Sequence, residues 1–168
     1  EGKVLLTLGK AGIAGDASDT FNPLSDVVTA PNGDIFIADG HVNSRVVKYS
    51  KDGKFIKAWG TKGTGPGELD TPHAIAIDSR GRIFVGDRAN NRIQIFDQDG
   101  RFLEQWKQFG RPTGLFIDKN DVLYVADDES NPTRNPGWMP GISIGSARDG
   151  KVTAFIPAMN TERAVADS

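Results

Sequence analysis

The sequence predicts an all-β fold built from a repeated four-stranded unit, and three observations carry this prediction. A segment of about forty residues occurs three times, at residues 21–60, 69–107 and 109–158. Each copy alternates short runs of Ile, Val, Phe and Trp with Gly, Asp or Asn, as strands and their turns do. No apolar period of 3.6 residues persists long enough to predict a helix.

The second copy displays the unit most clearly. Its four predicted strands are His73–Asp78, Arg82–Gly86, Arg92–Phe96 and Phe102–Trp106. Tight hairpin turns are expected where Gly follows Asn or Asp, because these residues tolerate a positive φ. Such pairs are Asn32-Gly33, Asp52-Gly53 and Asp99-Gly100. Four strands in a unit of this length are typical of a β-propeller blade.

The repeat is cut at both ends of the chain. Residues 1–10 contain a predicted strand, Lys3–Leu8, that resembles the last strand of a preceding blade, and residues 161–168 resemble the first strand of a following one. Propellers usually have four to eight blades. We therefore expect residues 1–168 to form a single partial propeller domain. About six blades are predicted for the ring, which further blades or self-association with a second copy would close.

Composition excludes several classes of function. The net charge is −2 with both signs interspersed, so nucleic acid is not an expected partner. No apolar run approaches the roughly 20 residues of a membrane span. The chain has no Cys, which excludes a disulfide framework, a thiolate metal site and a cysteine nucleophile.

Strand alternation predicts where the unusual side chains lie. The links between blades and the loop between the second and third strands of each blade should share one face, and the hairpins should lie on the other. The first face receives the insertion at residues 128–141 and the candidate ligand-binding residues Asp39, His41, Arg111 and Trp138. Since ligands of such folds often bind at one mouth of the channel, we expect a peptide, protein or small-molecule ligand there.

Four stretches resemble the NHL-repeat propellers. They are VNSRVVKYS at 42–50, GKFIKAWG at 53–60, PHAIAI at 72–77 and DRANNRIQIF at 87–96. More narrowly, they are similar to peptidyl-α-hydroxyglycine α-amidating lyase and its bacterial relatives. The resemblance implies an extracytoplasmic protein: secreted, periplasmic or extracellular.

The resemblance also implies a chemistry. Lyases of this family use zinc to split a hydroxyglycine-extended peptide into a peptide amide and glyoxylate. The catalytic arginine falls on Arg45, the first zinc histidine on His73, and a further zinc position on Glu162. A metal would polarise the substrate hydroxyl, and a guanidinium would stabilise negative charge. Zinc is the implied cofactor, and a structural calcium ion is a further alternative.

This chain departs from the family pattern at several points. Zinc sites use three or four protein ligands, whereas His41 and His73 are the only histidines here. The insertion that should carry the family's catalytic tyrosine contains Trp138 and no Tyr. Two hypotheses remain: a propeller that binds a ligand at its mouth, and a zinc-dependent lyase.

Repetition supplies a structural alternative for some candidates. Asp39, Asn43 and Arg45 recur in the next copy, where we match them to Asp87, Asn91 and Arg92. A recurring Asp and Arg are typical of a network that braces loops. The aromatic residues Trp59, Trp106 and, approximately, Phe155 occupy matching places in the outer strands, where we expect packing between blades.

Overall fold

The computed structural model describes residues 2–159, which contain three four-stranded sheets. Blade 1 consists of β1 (Asp26–Thr29), β2 (Ile35–Asp39), β3 (Arg45–Tyr49) and β4 (Phe55–Trp59). Blade 2 consists of β5 (Pro72–Ile77), β6 (Ile83–Asp87), β7 (Arg92–Phe96) and β8 (Phe102–Trp106), with a 3-10 turn at Arg88–Asn90. Blade 3 consists of β9 (Gly114–Ile117), β10 (Val122–Asp127), β11 (Gly141–Ser146) and β12 (Val152–Pro157). Within each blade, every strand pairs antiparallel with its sequence neighbours, which confirms the all-β propeller prediction.

The predicted hairpin turns form, and each contains a glycine with a positive φ. Gly33, Gly53 and Gly100 have φ values of 90°, 77° and 77°, a region that side chains with a Cβ rarely adopt. In each of these turns the glycine amide donates to a backbone carbonyl three residues earlier. The turns lie at the end of the sheets opposite to the β2–β3, β6–β7 and β10–β11 loops.

The core lies between successive blades. Phe36 and Val46 of blade 1 pack with Ile75 and Val85 of blade 2. The other face of blade 2 packs in the same way on blade 3, through residues that include Phe84, Ile93, Leu123 and Val125. The first strands are the innermost, since β5 packs against both β1 and β9. Burial between blades thus fixes the order of the strands around the centre.

In blades 1 and 2 an aromatic side chain of the outer strand packs over a glycine of the next blade. The Trp59 ring covers Gly100, and the Trp106 ring covers Gly150. In blade 3 the matching register position is Ile156, which pairs with Ile142 as Trp59 pairs with Val46. The approximate match to Phe155 is therefore one residue off.

One predicted strand is absent. Residues 3–8 have no strand hydrogen bonding, because no other strand among residues 2–159 lies beside them to supply donors and acceptors. Leu6 and Leu8 nevertheless lie over Gly53, at the place where Trp59 lies over Gly100. The stretch 161–168, including Glu162, lies outside the described residues. Within residues 2–159 there is no helix long and apolar enough to cross a membrane.

We call one end of the three sheets the mouth face. It carries the β2–β3, β6–β7 and β10–β11 loops and the links from β4 to β5 and from β8 to β9. His41, His73, Arg111 and Trp138 all belong to these loops or to strand ends beside them. The fold therefore brings the unrepeated side chains predicted from the sequence to one face.

Candidate functional site

Asp39 organises the loop that follows β2. Its carboxylate is fully buried and accepts hydrogen bonds from the Asn22 amide (3.0 Å), Asn43 Nδ2 (2.8 Å) and Arg45 Nε (2.8 Å). A buried carboxylate needs such partners because its desolvation is otherwise costly. Both oxygens of this predicted ligand-binding residue are thus engaged inside the protein.

Arg45 holds the segment that precedes β1 in place through hydrogen bonds to its backbone. Beyond its ion pair with Asp39, its guanidinium donates to the carbonyl oxygens of Asp16, Ala17 (3.2 Å) and Thr20 (2.8 Å). Its side chain is 12% exposed. The planar, multidentate donor set of arginine suits it for holding a loop through several carbonyls at once.

Blade 2 repeats this network. Asp87 accepts from the Asp70 amide (2.6 Å) and from Arg92 Nε (2.7 Å). Arg92 also donates to three carbonyls of the preceding link, those of Thr64, Gly65 and Glu68. The asparagine of this second network is Asn90, which contacts Asp87 as Asn43 contacts Asp39. The match to Asn91 made from the sequence is wrong by one residue because the blade 2 loop is one residue shorter.

Blade 3 keeps the aspartate and replaces the arginine. Asp127 accepts from the Arg111 amide (2.8 Å) and from the Ser130 amide and hydroxyl (2.8 and 2.5 Å). Asn135 Nδ2 in turn donates to Ser130 Oγ at 3.0 Å. The insertion therefore braces itself, and the bracing arginine becomes unnecessary there.

His73 has a fixed tautomer. Its Nδ1 lies 2.8 Å from the carbonyl oxygen of Thr113 in the next blade. A carbonyl only accepts hydrogen bonds, so Nδ1 is the donor, and in the neutral imidazole the lone pair is on Nε2. This arrangement is the one that metal-binding histidines commonly have. The position does not recur, since Ser25 and Thr113 hold the matching places in blades 1 and 3.

His41 lies beside His73 across the junction of blades 1 and 2. The ring centroids are 5.2 Å apart with an interplanar angle of 76°. His41 is exposed, and its amide donates to the Pro23 carbonyl at 3.3 Å. Gly40 makes this approach possible, because a Cβ at that position would overlap the carbonyl of Pro72. Nothing in the spacing of the two histidines predicted that their rings would lie side by side.

Arg111 joins a charged cluster over the junction of blades 2 and 3. Its guanidinium donates to Glu129 Oε2 (2.8 Å), the Arg88 carbonyl (2.8 Å) and Asn91 Oδ1 (3.1 Å). The hydrogen bond from Arg111, together with the charges of Arg88 and Arg134, holds the pKa of Glu129 below its usual value against the opposing effect of burial. Glu129 is thus a site residue that sequence reasoning missed; its place at the start of the insertion was the available signal.

Trp138 lines a groove on the mouth face of blade 3. The groove has a volume of about 960 Å³ and is lined by the insertion and the adjoining ends of β11 and β12. Trp138 and Met139 supply apolar surface and are 37% and 60% exposed, while Glu129 and Arg134 supply charge. Ile142 and Ile156 also line the groove, at positions that face the next blade elsewhere in the fold. The other wall of the groove is formed by the insertion, which has no counterpart in blades 1 and 2.

Metal ligands are sparse in this face. No group of three or more His, Asp or Glu side chains that could hold an ion occurs within residues 2–159. Of the predicted zinc positions, His73 has a suitable free nitrogen, and Glu162 is not among the described residues. The histidine pair could occupy two coordination positions.

Comparison with known proteins gives the same picture of the repeat. Residues 69–96, the β5–β7 region, match the family model of the NHL repeat. The chain is 36% identical over 171 residues to peptidyl-glycine alpha-amidating monooxygenase B of Xenopus laevis, a match that covers 92% of this chain and 19% of that protein. It is 45% identical over 60 residues to peptidyl-alpha-hydroxyglycine alpha-amidating lyase 1 of Drosophila melanogaster, covering 36% and 11%.

Solved structures share the fold at low identity. Virginiamycin B lyase from Staphylococcus aureus superposes with a TM-score of 0.61 at 16% identity, over 82% of this chain and 42% of that one. This likeness concerns the propeller architecture alone. The matched segments span about a fifth of the amidating monooxygenase and about a tenth of the Drosophila lyase.

Proposed function

We propose that this chain, an NHL-repeat propeller related to the peptide-amidating lyases, binds a peptide across its mouth face. The observation that carries this proposal is the gathering of unrepeated side chains on one face. His41, His73, Arg111 and Trp138 all lie there, whereas the opposite face carries plain hairpin turns. In a repeat protein, what recurs serves the scaffold, and what departs from the repeat is free to serve binding.

The groove beside Trp138 suits a peptide. Trp138 and Met139 offer apolar surface for a side chain, and the ion pair of Arg134 and Glu129 also lines the groove. Aromatic anchors with a charged rim are the usual composition of peptide-binding surfaces. The relatives named above act on peptides according to their names, which supports a peptide over other ligands.

Binding is favoured over catalysis by the state of Arg45. An arginine that stabilises a developing negative charge must present donors to the reacting group. Arg45 directs its Nε and both terminal nitrogens to Asp39 and to backbone carbonyls, and Arg92, which has no proposed catalytic role, binds Asp87 and backbone carbonyls in the same way. We therefore assign Arg45 and Asp39 to the scaffold of the site.

A zinc-dependent lyase is the second candidate. The observation in its favour is His73, whose Nδ1–H bond to Thr113 leaves Nε2 available on the mouth face. In this account His73 would hold the ion, which would polarise the hydroxyl of a peptidyl-α-hydroxyglycine. A complete ring of about six blades would supply further ligands, and Glu162 remains a proposed ligand. A secreted, periplasmic or extracellular location stays a prediction.

Titration with a peptide that ends in α-hydroxyglycine tests the proposal. Calorimetry measures the binding, because tryptophan emission would lose its exposed reporter in the Trp138→Ala variant. We expect saturable binding that Trp138→Ala weakens at least tenfold and that Phe55→Ala, a substitution in the outer strand of blade 1, leaves unchanged. Glyoxylate release in the same samples would favour the second candidate. Absence of binding would contradict the proposal.

A further inference from the structure

We propose that Thr71 is a positioning residue of the mouth face. Its left-handed backbone conformation directs the start of β5 so that His73 reaches blade 3 and presents an acceptor nitrogen to the backbone of a bound peptide. The inference rests on the proposed function, because it concerns the same face and the same ligand. Thr71 acts through His73 and makes no contact with the peptide itself.

Thr71 has a backbone conformation that its side chain disfavours. Its φ is 56°, in the left-handed region, where a β-branched residue is a rare outlier. The next residue is Pro72, and a residue before proline is biased towards an extended conformation. Asn91 and Asp121 also have positive φ, 51° and 61°, but asparagine and aspartate tolerate this region. Strain of this kind persists only where the surrounding structure enforces it, and it is concentrated at functional sites.

Hydrogen bonds to the end of β6 hold Thr71 in this conformation. The Arg88 amide donates to the Thr71 carbonyl at 3.2 Å, and the Ala89 amide donates to the Asp70 carbonyl at 3.0 Å. The Asp70 amide donates in turn to the buried carboxylate of Asp87 at 2.6 Å. The acceptor that organises the β6–β7 loop therefore also anchors the residue before Thr71.

The scaffold of a blade does not need this conformation. In every blade one backbone amide before the first strand binds the buried aspartate, and these amides belong to Asn22, Asp70 and Arg111. The residue that follows is Thr71 in blade 2, Pro23 in blade 1 and Pro112 in blade 3. Proline fixes φ at about −65°, so the other two blades begin their inner strands without a left-handed residue. Neither has a histidine at the place of His73.

The conformation accompanies a longer inner strand. β5 begins at Pro72, which pairs with Asp87, whereas β1 and β9 begin one residue after the place of His73. The register shifts between Pro72 and Ala74, so His73 lies at a bulge with strand pairing on both sides. Bulges re-aim side chains and are frequent beside functional sites. From this position Nδ1 of His73 reaches the Thr113 carbonyl of blade 3 at 2.8 Å.

The direction of the His73 ring decides what it can offer a peptide. With Nδ1 donating to Thr113, the neutral ring has its lone pair on Nε2, which can accept a hydrogen bond from a peptide N–H. The ring is half-buried and lies beside the exposed ring of His41. Every residue except proline has a backbone N–H. The contact therefore suits recognition of the main chain of a peptide, whatever its side chains.

Thr71→Pro, which introduces the residue that blades 1 and 3 have at this place, tests the proposal. The variant should fold with the circular dichroism spectrum of wild type, because Pro23 and Pro112 support the same strand start. At about pH 8, where histidine is neutral, nitrogen NMR should show His73 protonated on Nδ1 in wild type and a shift of the proton towards Nε2 in the variant. Calorimetric affinity for a peptide ending in α-hydroxyglycine should fall roughly fivefold, as expected for one neutral hydrogen bond. A folded variant with the wild-type tautomer, or with wild-type affinity, would overturn the proposal.

Thr71→Asn separates the backbone conformation from the threonine side chain. Asparagine tolerates a positive φ, so this variant should keep the Nδ1 tautomer and bind the peptide within roughly twofold of wild type. Loss of the tautomer or of the affinity would overturn the proposal, whether or not the proline variant folds.

The tautomer measurement needs no peptide, so it separates this inference from the proposed function. An unchanged tautomer in folded Thr71→Pro, with normal peptide binding by wild type, refutes this inference alone. A shifted tautomer in Thr71→Pro, with no peptide binding by wild type, refutes the proposed function and leaves the positioning of His73 by Thr71 intact.

Discussion

Arg45 and Arg92 make matching hydrogen bonds in consecutive blades, and Arg92 adds one to Gln105 Oε1. Each donates Nε to the buried aspartate that ends the second strand, and each reaches three carbonyls of the link before its own blade. The resemblance assigns catalysis to Arg45 alone, whereas the geometry makes it one of a pair. The pair is thus a matched internal control.

Arg45→Ala and Arg92→Ala should destabilise the fold to a similar extent. Each leaves a fully buried aspartate without its cation, a change that costs about 3–5 kcal/mol. Urea unfolding followed by circular dichroism measures the effect. If Arg45→Ala were as stable as wild type and had lost peptide binding, Arg45 would be a functional residue and the scaffold assignment would be wrong.

Gly100→Ala should destabilise more than Gly67→Ala. Both glycines have positive φ, 77° and 80°, so both substitutions strain the backbone by about 1–2 kcal/mol. Only at Gly100 would the new Cβ meet a side chain, with Trp59 Cδ2 at 2.6 Å. The difference in unfolding free energy therefore reports the lock between blades. Equal losses would contradict the role given to Trp59.

Glu129→Gln should make the loss of folding stability between pH 6 and pH 3 less steep. The Arg111 hydrogen bond holds the pKa of Glu129 below its usual value, so the folded state binds the proton more weakly than the unfolded state. Its stabilisation is present above the unfolded pKa of about 4.3 and is lost as pH falls through the lower folded pKa. Thermal unfolding from pH 6 to pH 3 measures it. An acid limb as steep as that of wild type would show that Glu129 is not the responsible group.

Ser79→Ala should raise the pKa of Asp121. The Ser79 hydroxyl donates to Asp121 Oδ2 at 2.7 Å and is the largest cause of the lowered pKa of this carboxyl, with smaller help from the Ser79 amide and Arg148. This contact links blades 2 and 3 on the hairpin face. Carbon-detected NMR titration of the carboxyl measures the change. An unchanged pKa would mean that the amide and Arg148 suffice.

The fold could be predicted from the sequence because the same pattern of strands and turns recurs in each blade. Gly100 marks a turn and Trp59 an outer strand on local grounds alone. The strand predicted at Lys3–Leu8 does not form among residues 2–159, since a strand depends on a partner that its own sequence does not encode. The contact of Asp87 with Asn90 in place of Asn91 was also missed from the sequence, because it depends on the path of a loop that is one residue shorter than in blade 1.

The candidate site was less predictable because it forms between blades. His41 and His73 are 32 positions apart, and only the packing of blade 1 on blade 2 brings the rings to 5.2 Å. The tautomer of His73 depends on the carbonyl of Thr113, a residue that nothing in the sequence indicates as a partner. Strand alternation did predict that His41, His73, Arg111 and Trp138 lie on one face of the fold.

Mapping the bound peptide by amide chemical shifts tests the central claim most directly. Labelled chain titrated with a peptide ending in α-hydroxyglycine should show its largest shifts at His41, His73, Arg111 and residues 128–141. The hairpins at Gly33, Gly53 and Gly100 should stay unchanged. Shifts centred on those hairpins, or none at saturating peptide, would contradict the account.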